Sequence, residues 1–399
     1  MPETDRVGSI AISATDRPHH AALDSLRGLA ALSVVFFHLS WTGPLYGLAY
    51  VRNSYLMVDV FFVLSGFVIF HAYQGRVTTL REARRFLWLR FWRVYPVHFL
   101  FLMVFVAIAA AKLLAQSRFG WVANHPALEQ DTPWGFVANL LLIQGLNTTE
   151  TLSFNGPSWS ISVEFAAYVL FAGLLLAFRS PRTIMAVSLA ISAGALAWLA
   201  WLGHGQVAFS NRFGIVPCVT GFFLGVVISA LAARLRRSAY VAAHSGFIGG
   251  MAAAAIILFA VFLALRHAVH MPLAVFPLAA WMIFLIALAP VSPVARLLEL
   301  APLRWLGRIS YSVYMAQEAV IWLVKGVLRM LTHAPDIPIP GHQPILAVTP
   351  AVGLTASVVT LLLVLAVAQL TYRFVEAPWR AWSRSRRAMA WSVVAALAR

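Results

Sequence analysis

Three ionisable side chains stand inside apolar runs, where charge is costly and function is the default expectation. They are His38, Asp59 and Glu164. His38 closes the stretch that begins Asp24-Ser25-Leu26-Arg27-Gly28. Asp59 lies in Met57-Val58-Asp59-Val60-Phe61-Phe62, and Glu164 ends Ser158-Trp159-Ser160-Ile161-Ser162-Val163-Glu164. Ser160 and Glu164 are four residues apart and share a face if the segment is helical. An imidazole oriented by a carboxylate is a general-base arrangement, and carboxylates held from water suit proton exchange. Taken singly, each residue is equally what a structural hydrogen-bonder between helices looks like. Together, His38, Asp59 and Glu164 are expected to converge at similar depth.

A second set is cationic. Phe86-Leu87-Trp88-Leu89-Arg90-Phe91-Trp92-Arg93-Val94-Tyr95-Pro96 puts Arg90 and Arg93 three apart, on one face at a helix end. Arg27 and Arg308 are expected at the same membrane level. Single arginines there enforce topology or hold lipid head groups. As a set of guanidiniums they suit a phosphate-bearing ligand. As a helix, the Arg27–His38 stretch separates its two ends by roughly 16 Å and sets both side chains near one face.

The elements that must position these groups are read from composition. The chain has 399 residues, 61% hydrophobic and 11% charged. So much apolar surface calls for lipid as solvent. The formal charge of +16 falls between apolar runs, as topology requires, so nucleic acid is not the expected partner. Cys218 is the sole cysteine, which excludes a disulfide framework and a thiolate cluster. No histidine pair has convincing metal-ligand spacing, so no metal is expected. His71, His98, His204 and His244 are expected near interfaces, without catalytic roles.

Ten runs are long enough to span, at about residues 24–43, 55–74, 91–115, 158–178, 183–203, 212–233, 245–265, 272–290, 308–331 and 347–373. A shorter run at 134–146 suggests a half-helix or an interfacial segment. With the N-terminus inside, 23 of the 30 Lys and Arg fall on one face; the rest are Arg52, Lys112, Arg118, Arg212, Arg266, Lys325 and Arg329. That bias predicts an all-α polytopic bundle with both termini cytoplasmic. Residues 1–22 are expected as a cytoplasmic tail without a cleavable signal, 23–380 as the transmembrane domain, and 381–399 as a basic cytoplasmic tail. The long outer loop 116–157, with Trp121, Trp134, Asn139, Gln144 and Asn155, is expected as a lid or binding element. The proline-rich segment 332–346 favours an extended path. No internal repeat suggests an inverted-repeat transporter.

These residues carry a family pattern. The chain resembles the acyltransferase-3 family of integral membrane acyltransferases. The matching segments are Leu23-Asp24-Ser25-Leu26-Arg27-Gly28-Leu29 with His38, Val58-Asp59-Val60-Phe61-Phe62, Arg90-Phe91-Trp92-Arg93, Ser160 with Glu164, and Leu306-Gly307-Arg308-Ile309-Ser310-Tyr311-Ser312-Val313-Tyr314. The close Tyr372-Arg373-Phe374-Val375-Glu376-Ala377-Pro378 also fits. The resemblance implies O-acyl transfer, most often acetyl, from acyl-CoA to a hydroxyl, usually on a sugar.

Carried over, it makes His38 the catalytic base with Arg27 its motif partner. Ser160 and Glu164 fill a serine–glutamate motif, with Asp59 beside them, and Arg90 and Arg93 fill a two-arginine motif. The donor's phosphates are expected at Arg27, Arg90, Arg93 and Arg308. Trp121, Trp134 and Trp159 are expected on the acceptor side, with sugar rings stacking on the first two. Gln317 departs from the family, which often has a histidine there; glutamine cannot take up a proton.

Acyl-CoA is thus expected as a donor substrate and not a permanently bound cofactor. The acceptor is expected to be a cell-surface glycan, glycolipid or glycosylated metabolite, and membrane lipids surround the protein. Arginine far exceeds lysine, which suggests a GC-rich bacterial genome and a multi-pass inner-membrane protein. No soluble catalytic domain is expected after residue 380, so the membrane core is expected to do the reaction or pass the acyl group on. Nothing in the pattern sets an oligomeric state. The alternative is a proton-coupled exporter with His38, Asp59 and Glu164 as relay. Such a relay would have no need of Arg27, Arg90 and Arg93.

Overall fold

The structure is a computed structural model that describes residues 21–120, 128–202, 213–265, 271–339 and 342–385. The helices are α1 (Ala21–His38), α2 (Ala49–Arg52), α3 (Met57–Tyr73), α4 (Leu80–Phe119), α5 (Pro133–Leu140), α6 (Trp159–Ala177) and α7 (Pro181–Trp201). They continue with α8 (Ile215–Leu235), α9 (Ala239–Ala243), α10 (Ser245–Ala264), α11 (Val275–Leu288), α12 (Pro293–Leu298), α13 (Ala301–Thr332) and α14 (Pro350–Thr371). A short antiparallel hairpin, β1 (Asp336–Ile339) with β2 (His342–Leu346), fills the expected extended segment.

Each of the ten apolar runs lies on a helix. Eight helical segments among the described residues are long and apolar enough to cross a membrane. The other two runs differ for physical reasons. The α11 segment is shorter, and the 32-residue α13 carries Arg304, Arg308, Glu318, Lys325 and Arg329. The protein is a helical membrane bundle.

Boundaries move where capping or chain exit decides them. Helix α4 starts eleven residues before the expected run, at a capping box in which Thr79 and Glu82 satisfy each other's backbone N–H. It ends at Gly120, whose φ of 65° is the left-handed cap that glycine adopts freely. The last long helix does not stop at α14. A π-helical turn, Tyr372–Glu376, continues it, and helix persists to residue 385, past the expected boundary at 380.

Glycines set the two tightest crossings. A Cβ on Gly28 would lie 2.7 Å from the backbone N of Gly307, and one on Gly307 would lie 2.5 Å from the carbonyl O of Asp24. Helices α1 and α13 therefore touch backbone to backbone. They run parallel: Val35 shares a buried cluster with Ile309 and Val313, and Leu39 shares one with Ile321 and Leu328. At the α3–α8 crossing, a Cβ on Gly66 would collide with the carbonyl of Phe222, and one on Gly225 with that of Val63. Small residues at interfaces are how helices approach in lipid, where packing supplies the attraction.

The chain leaving α1 is stitched to the hairpin. Trp41 is almost fully buried, and its indole N–H donates to the Gly353 carbonyl and to Ser357 Oγ, both at 3.1 Å. The Thr42 N–H donates to the Leu346 carbonyl at 2.9 Å. His38 thus stands at a braced helix end.

Gly66→Ala is expected to be strongly destabilising, by about 3 kcal/mol or enough to block assembly, because the backbone of Phe222 cannot yield. Gly250→Ala on α10 meets nothing within 4 Å. It should leave stability unchanged or raise it by up to about 1 kcal/mol. Thermal unfolding of the two variants in the same detergent checks both.

Candidate active site

Arg27 and His38 sit on one unbroken helix, both half-buried. Helix rise therefore sets them roughly 16 Å apart on nearly one face. Arg27 Nη1 pairs with Asp24 Oδ1 at 3.3 Å. His38 Nδ1 lies 2.9 Å from the Val34 carbonyl oxygen. A carbonyl only accepts, so Nδ1 is the donor there. The neutral ring then offers Nε2 as a free lone pair. The ring meets Phe37 edge-on at 5.0 Å. His38 is the last residue of α1, so it stands at a helix end and not inside the expected 24–43 span. Its orienting partner is its own helix, where a carboxylate was expected.

The expected convergence of three acid–base groups at one depth is not made. The Tyr55 ring lies 5.7 Å from that of Phe37, and Asp59 is one turn further along. Asp59 is half-buried and makes no hydrogen bond among the described residues. The Glu164 carboxylate is deeper still. Its Oε1 accepts from Ser65 Oγ at 2.5 Å and from Tyr168 Oη at 2.6 Å. Ser65 follows Asp59 by six residues, so this contact is about 9 Å further down the bundle. The three groups form a descending file, because each is carried by a different helix turn.

Ser160 does not meet Glu164 directly. Its Oγ lies 2.9 Å from Tyr314 Oη, and the two oxygens lie 3.1 and 3.0 Å from the Pro157 carbonyl; with one proton each, one hydroxyl donates to the carbonyl and the other donates to its neighbour. Ser160, Glu164 and Tyr168 recur at i, i+4 and make a polar stripe on α6. Ser65, Tyr168 and Tyr314 are the partners that sequence reasoning left without a role. The i, i+4 spacing of Tyr168 after Glu164 was the available signal.

The arginines gather at the other end. Arg90 Nη2 donates to Tyr73 Oη at 3.1 Å, and its guanidinium lies 5.3 Å from that ring's centre. Arg93 Nη1 pairs with Glu376 Oε1 at 3.1 Å and stands within electrostatic reach of Asp24 and Glu164. Arg27 joins this neighbourhood through Asp24. Arg308 reaches the same level beside Gly307 but is exposed and makes no bond with the others. Glu376 and Arg380, its partner at 3.3 Å, belong to the cluster and went unassigned in the sequence. Their i, i+4 spacing was visible; the contact with Arg93, 283 residues away, was not.

The expected acceptor-side tryptophans scatter. Trp121 lies outside the described residues. Trp134 is 52% exposed, and its indole donates to the Thr148 carbonyl at 2.8 Å. Trp159 is half-buried, edge-on to Phe62 at 6.2 Å. The described part of the long loop is built into the core. Its half-helix α5 carries Asn139, which is fully buried with Ser158 Oγ donating to Oδ1 at 3.1 Å. Gln144 Nε2 donates to the Ser158 carbonyl at 3.1 Å, and Asn155 Nδ2 donates to the Met315 carbonyl at 3.0 Å. Leu142, Asn147 and Phe154 are held at positive φ (56°, 62° and 59°), strain that these braces sustain.

His98 has a defined place. It is 1% exposed, and its Nε2 donates to the Asn139 carbonyl at 2.9 Å, a structural role the sequence did not assign. It braces the loop. Gln317 is also fully buried, with neither amide atom bonded among the described residues. It follows Gly307 by ten residues, as His38 follows Gly28, so the parallel α1–α13 register places the two at one depth.

A family model described as "Acyltransferase domain" matches residues 20–372. The chain is 21% identical over 390 residues to the peptidoglycan O-acetyltransferase OatA of Listeria monocytogenes, covering 91% of this chain and 56% of that protein. It is 24% identical over 378 residues to the O-acetyltransferase OatA of Staphylococcus aureus (90% and 57%). It is also 34% identical over 160 residues to the acyltransferase MdmB of Streptomyces mycarofaciens, 38% of each. The chain thus spans little more than half the length of the OatA relatives. No solved structure matches it. With an apolar helical bundle and a family match over nearly its whole length, this chain belongs to the acyltransferase-3 family of membrane acyltransferases.

Proposed function

We propose that the protein moves an acyl group, most simply acetyl, from acyl-CoA to a hydroxyl on a sugar, with His38 as general base. The acceptor class is a cell-surface glycan, glycolipid or glycosylated metabolite, and the membrane is the bacterial inner membrane. One observation carries this reading: His38 Nδ1 is committed to the Val34 carbonyl at 2.9 Å, which leaves Nε2 to take a proton. The names of the OatA relatives support acetyl as the group moved.

The steps balance. Nε2 takes the acceptor hydroxyl proton as the oxygen attacks the thioester carbonyl carbon. The carbon–sulfur bond then breaks, and the thiolate leaves with the proton returned from the imidazolium. A thioester is already activated, so base catalysis and charge stabilisation suffice. The donor's phosphates would sit at the arginine end and its pantetheine arm would run along α1, a span of roughly 16 Å by helix rise.

The relay alternative fares less well. Glu164 Oε1 is occupied by two hydroxyl donors, and no hydrogen bond among the described residues links it to Asp59. An exporter would also leave the arginine cluster without a task.

Purified protein in nanodiscs, given acetyl-CoA and a sugar acceptor, should release free CoA thiol and acetylated sugar. His38→Ala should cut kcat by about 10²–10⁴-fold, the usual size of a base contribution. Normal transfer by that variant would sink the role of His38. Arg27→Ala should act differently, raising KM for acetyl-CoA about tenfold with a smaller change in kcat, as loss of a charge-assisted phosphate contact would. Steady-state kinetics with varied acetyl-CoA separates the two effects.

A further inference from the structure

We infer that Arg380 and Arg93, yoked through Glu376, form a phosphate clamp for the donor's nucleotide end; the inference rests on the acyl-CoA reading above. Both guanidiniums bond the same oxygen. Arg93 Nη1 is 3.1 Å and Arg380 Nη1 3.3 Å from Glu376 Oε1. The other carboxylate oxygen, Oε2, accepts from Ser312 Oγ at 2.9 Å. The Glu376 side chain is 0% exposed, while those of Arg93 and Arg380 are 23% and 32% exposed. The carboxylate is therefore enclosed, and both cations keep an open side.

The charges do not cancel. Two guanidiniums share one carboxylate, which leaves one positive charge over in a partly buried place. Asp24 and Glu164 are within electrostatic reach of Arg93. Asp24 is paired with Arg27, though, and Glu164 is bonded to Ser65 and Tyr168. Each of Arg93 and Arg380 uses one N–H among the described residues, out of five that a guanidinium carries. Paired forks with spare donors match the oxygens of a phosphate or diphosphate.

The geometry is built to last. The π-helical turn Tyr372–Glu376 inserts an extra residue into the helix and so rotates Glu376 relative to α14. Trp92 and Trp379, each preceding one of the arginines, stack at 5.0 Å with planes 4° apart. Trp382 closes edge-on against both, at 5.0 and 5.2 Å. This clamp fixes α4 to the turn and holds Arg93 and Arg380 side by side. Glu376 is a positioning residue, and Arg380 joins Arg93 as a binding residue.

The test uses the full chain in nanodiscs with two donors, acetyl-CoA and the phosphate-free acetyl-pantetheine, and compares kcat/KM. The wild type should prefer acetyl-CoA. Arg380→Ala should shrink that preference about tenfold, and Glu376→Asp, whose shorter carboxylate cannot span both arginines, should do likewise. A structural defect would lower both donors together and leave the ratio intact, which would overturn the clamp. If Arg380→Ala does not fold, Arg380→Lys keeps the charge without the fork and should still narrow the ratio. A wild type that does not use acetyl-CoA would overturn the acyl-CoA reading and the clamp's donor with it. A wild type that uses acetyl-CoA with an unchanged ratio in Arg380→Ala would overturn the clamp alone. Thermal stabilisation by phosphatidylglycerol, lost in Arg380→Ala while the donor ratio stays unchanged, would assign the clamp to lipid head groups and overturn the donor assignment.

Discussion

The backbone contact between α1 and α13 fixes the relative heights of the polar groups that these two helices carry. Gly28 and Gly307 let the helices touch, and any side chain there would drive them apart. Helix α13 then ties in the rest. Tyr311 Oη donates to the Val94 carbonyl at 2.6 Å, so α4 is fixed in height. Ser312 holds Glu376, Tyr314 holds Ser160, and the Met315 carbonyl holds Asn155. Four of the five positions from 311 to 315 therefore engage α4, the π-helical turn, α6 and the turn before α6. A shift of α13 by one residue would break each of these bonds, so the contact at Gly28 sets the heights of both ends.

In lipid, polar groups must be satisfied inside the protein. Most are, by short-range pairing within or between adjacent helices. Trp305 donates to Gln369 Oε1 at 2.8 Å, and Ser192 donates to the Thr220 carbonyl at 2.8 Å. Gln317 is the exception that stands out, because leaving an amide unpaired costs about 1–3 kcal/mol. Its place at the depth of His38 sets that cost where the reaction would occur. Phe154, held at a φ of 59°, adjoins Asn155, which bonds the Met315 carbonyl two residues before Gln317. Local cost concentrated in one zone is what functional sites show.

Much of this was legible in the sequence because periodicity and charge act locally. The ten apolar runs became helices, and the half-helix at 134–146 became α5. Arg27 and His38 shared a helix because eleven residues make about three turns. Other features needed the third dimension. The His38 orienter was misassigned because a carboxylate is the usual partner, whereas the nearest acceptor was the carbonyl one turn back. Glu164 was grouped with His38 because nothing local shows that Ser65, 99 residues away, takes its carboxylate. His98 likewise could not be matched to the Asn139 carbonyl, which lies 41 residues on. Glu376 could not be matched to Arg93 because nothing local joins residues 283 apart.

The two ends of α1 carry different charge arrangements, and the difference has a physical reason. At the arginine end, cations outnumber the carboxylates that touch them. At the His38 end, the nearby cation Arg52 is engaged with aromatic rings, 4.5 Å from the centre of Tyr46 and 5.2 Å from that of Phe37. A polyanion held beside a general base would stabilise its protonated form and stall proton return. In a medium of low dielectric that influence reaches further than in water. Three turns of helix set these two charge environments roughly 16 Å apart. On the function proposed above, that spacing would let the donor's anionic end be gripped without disturbing the imidazole.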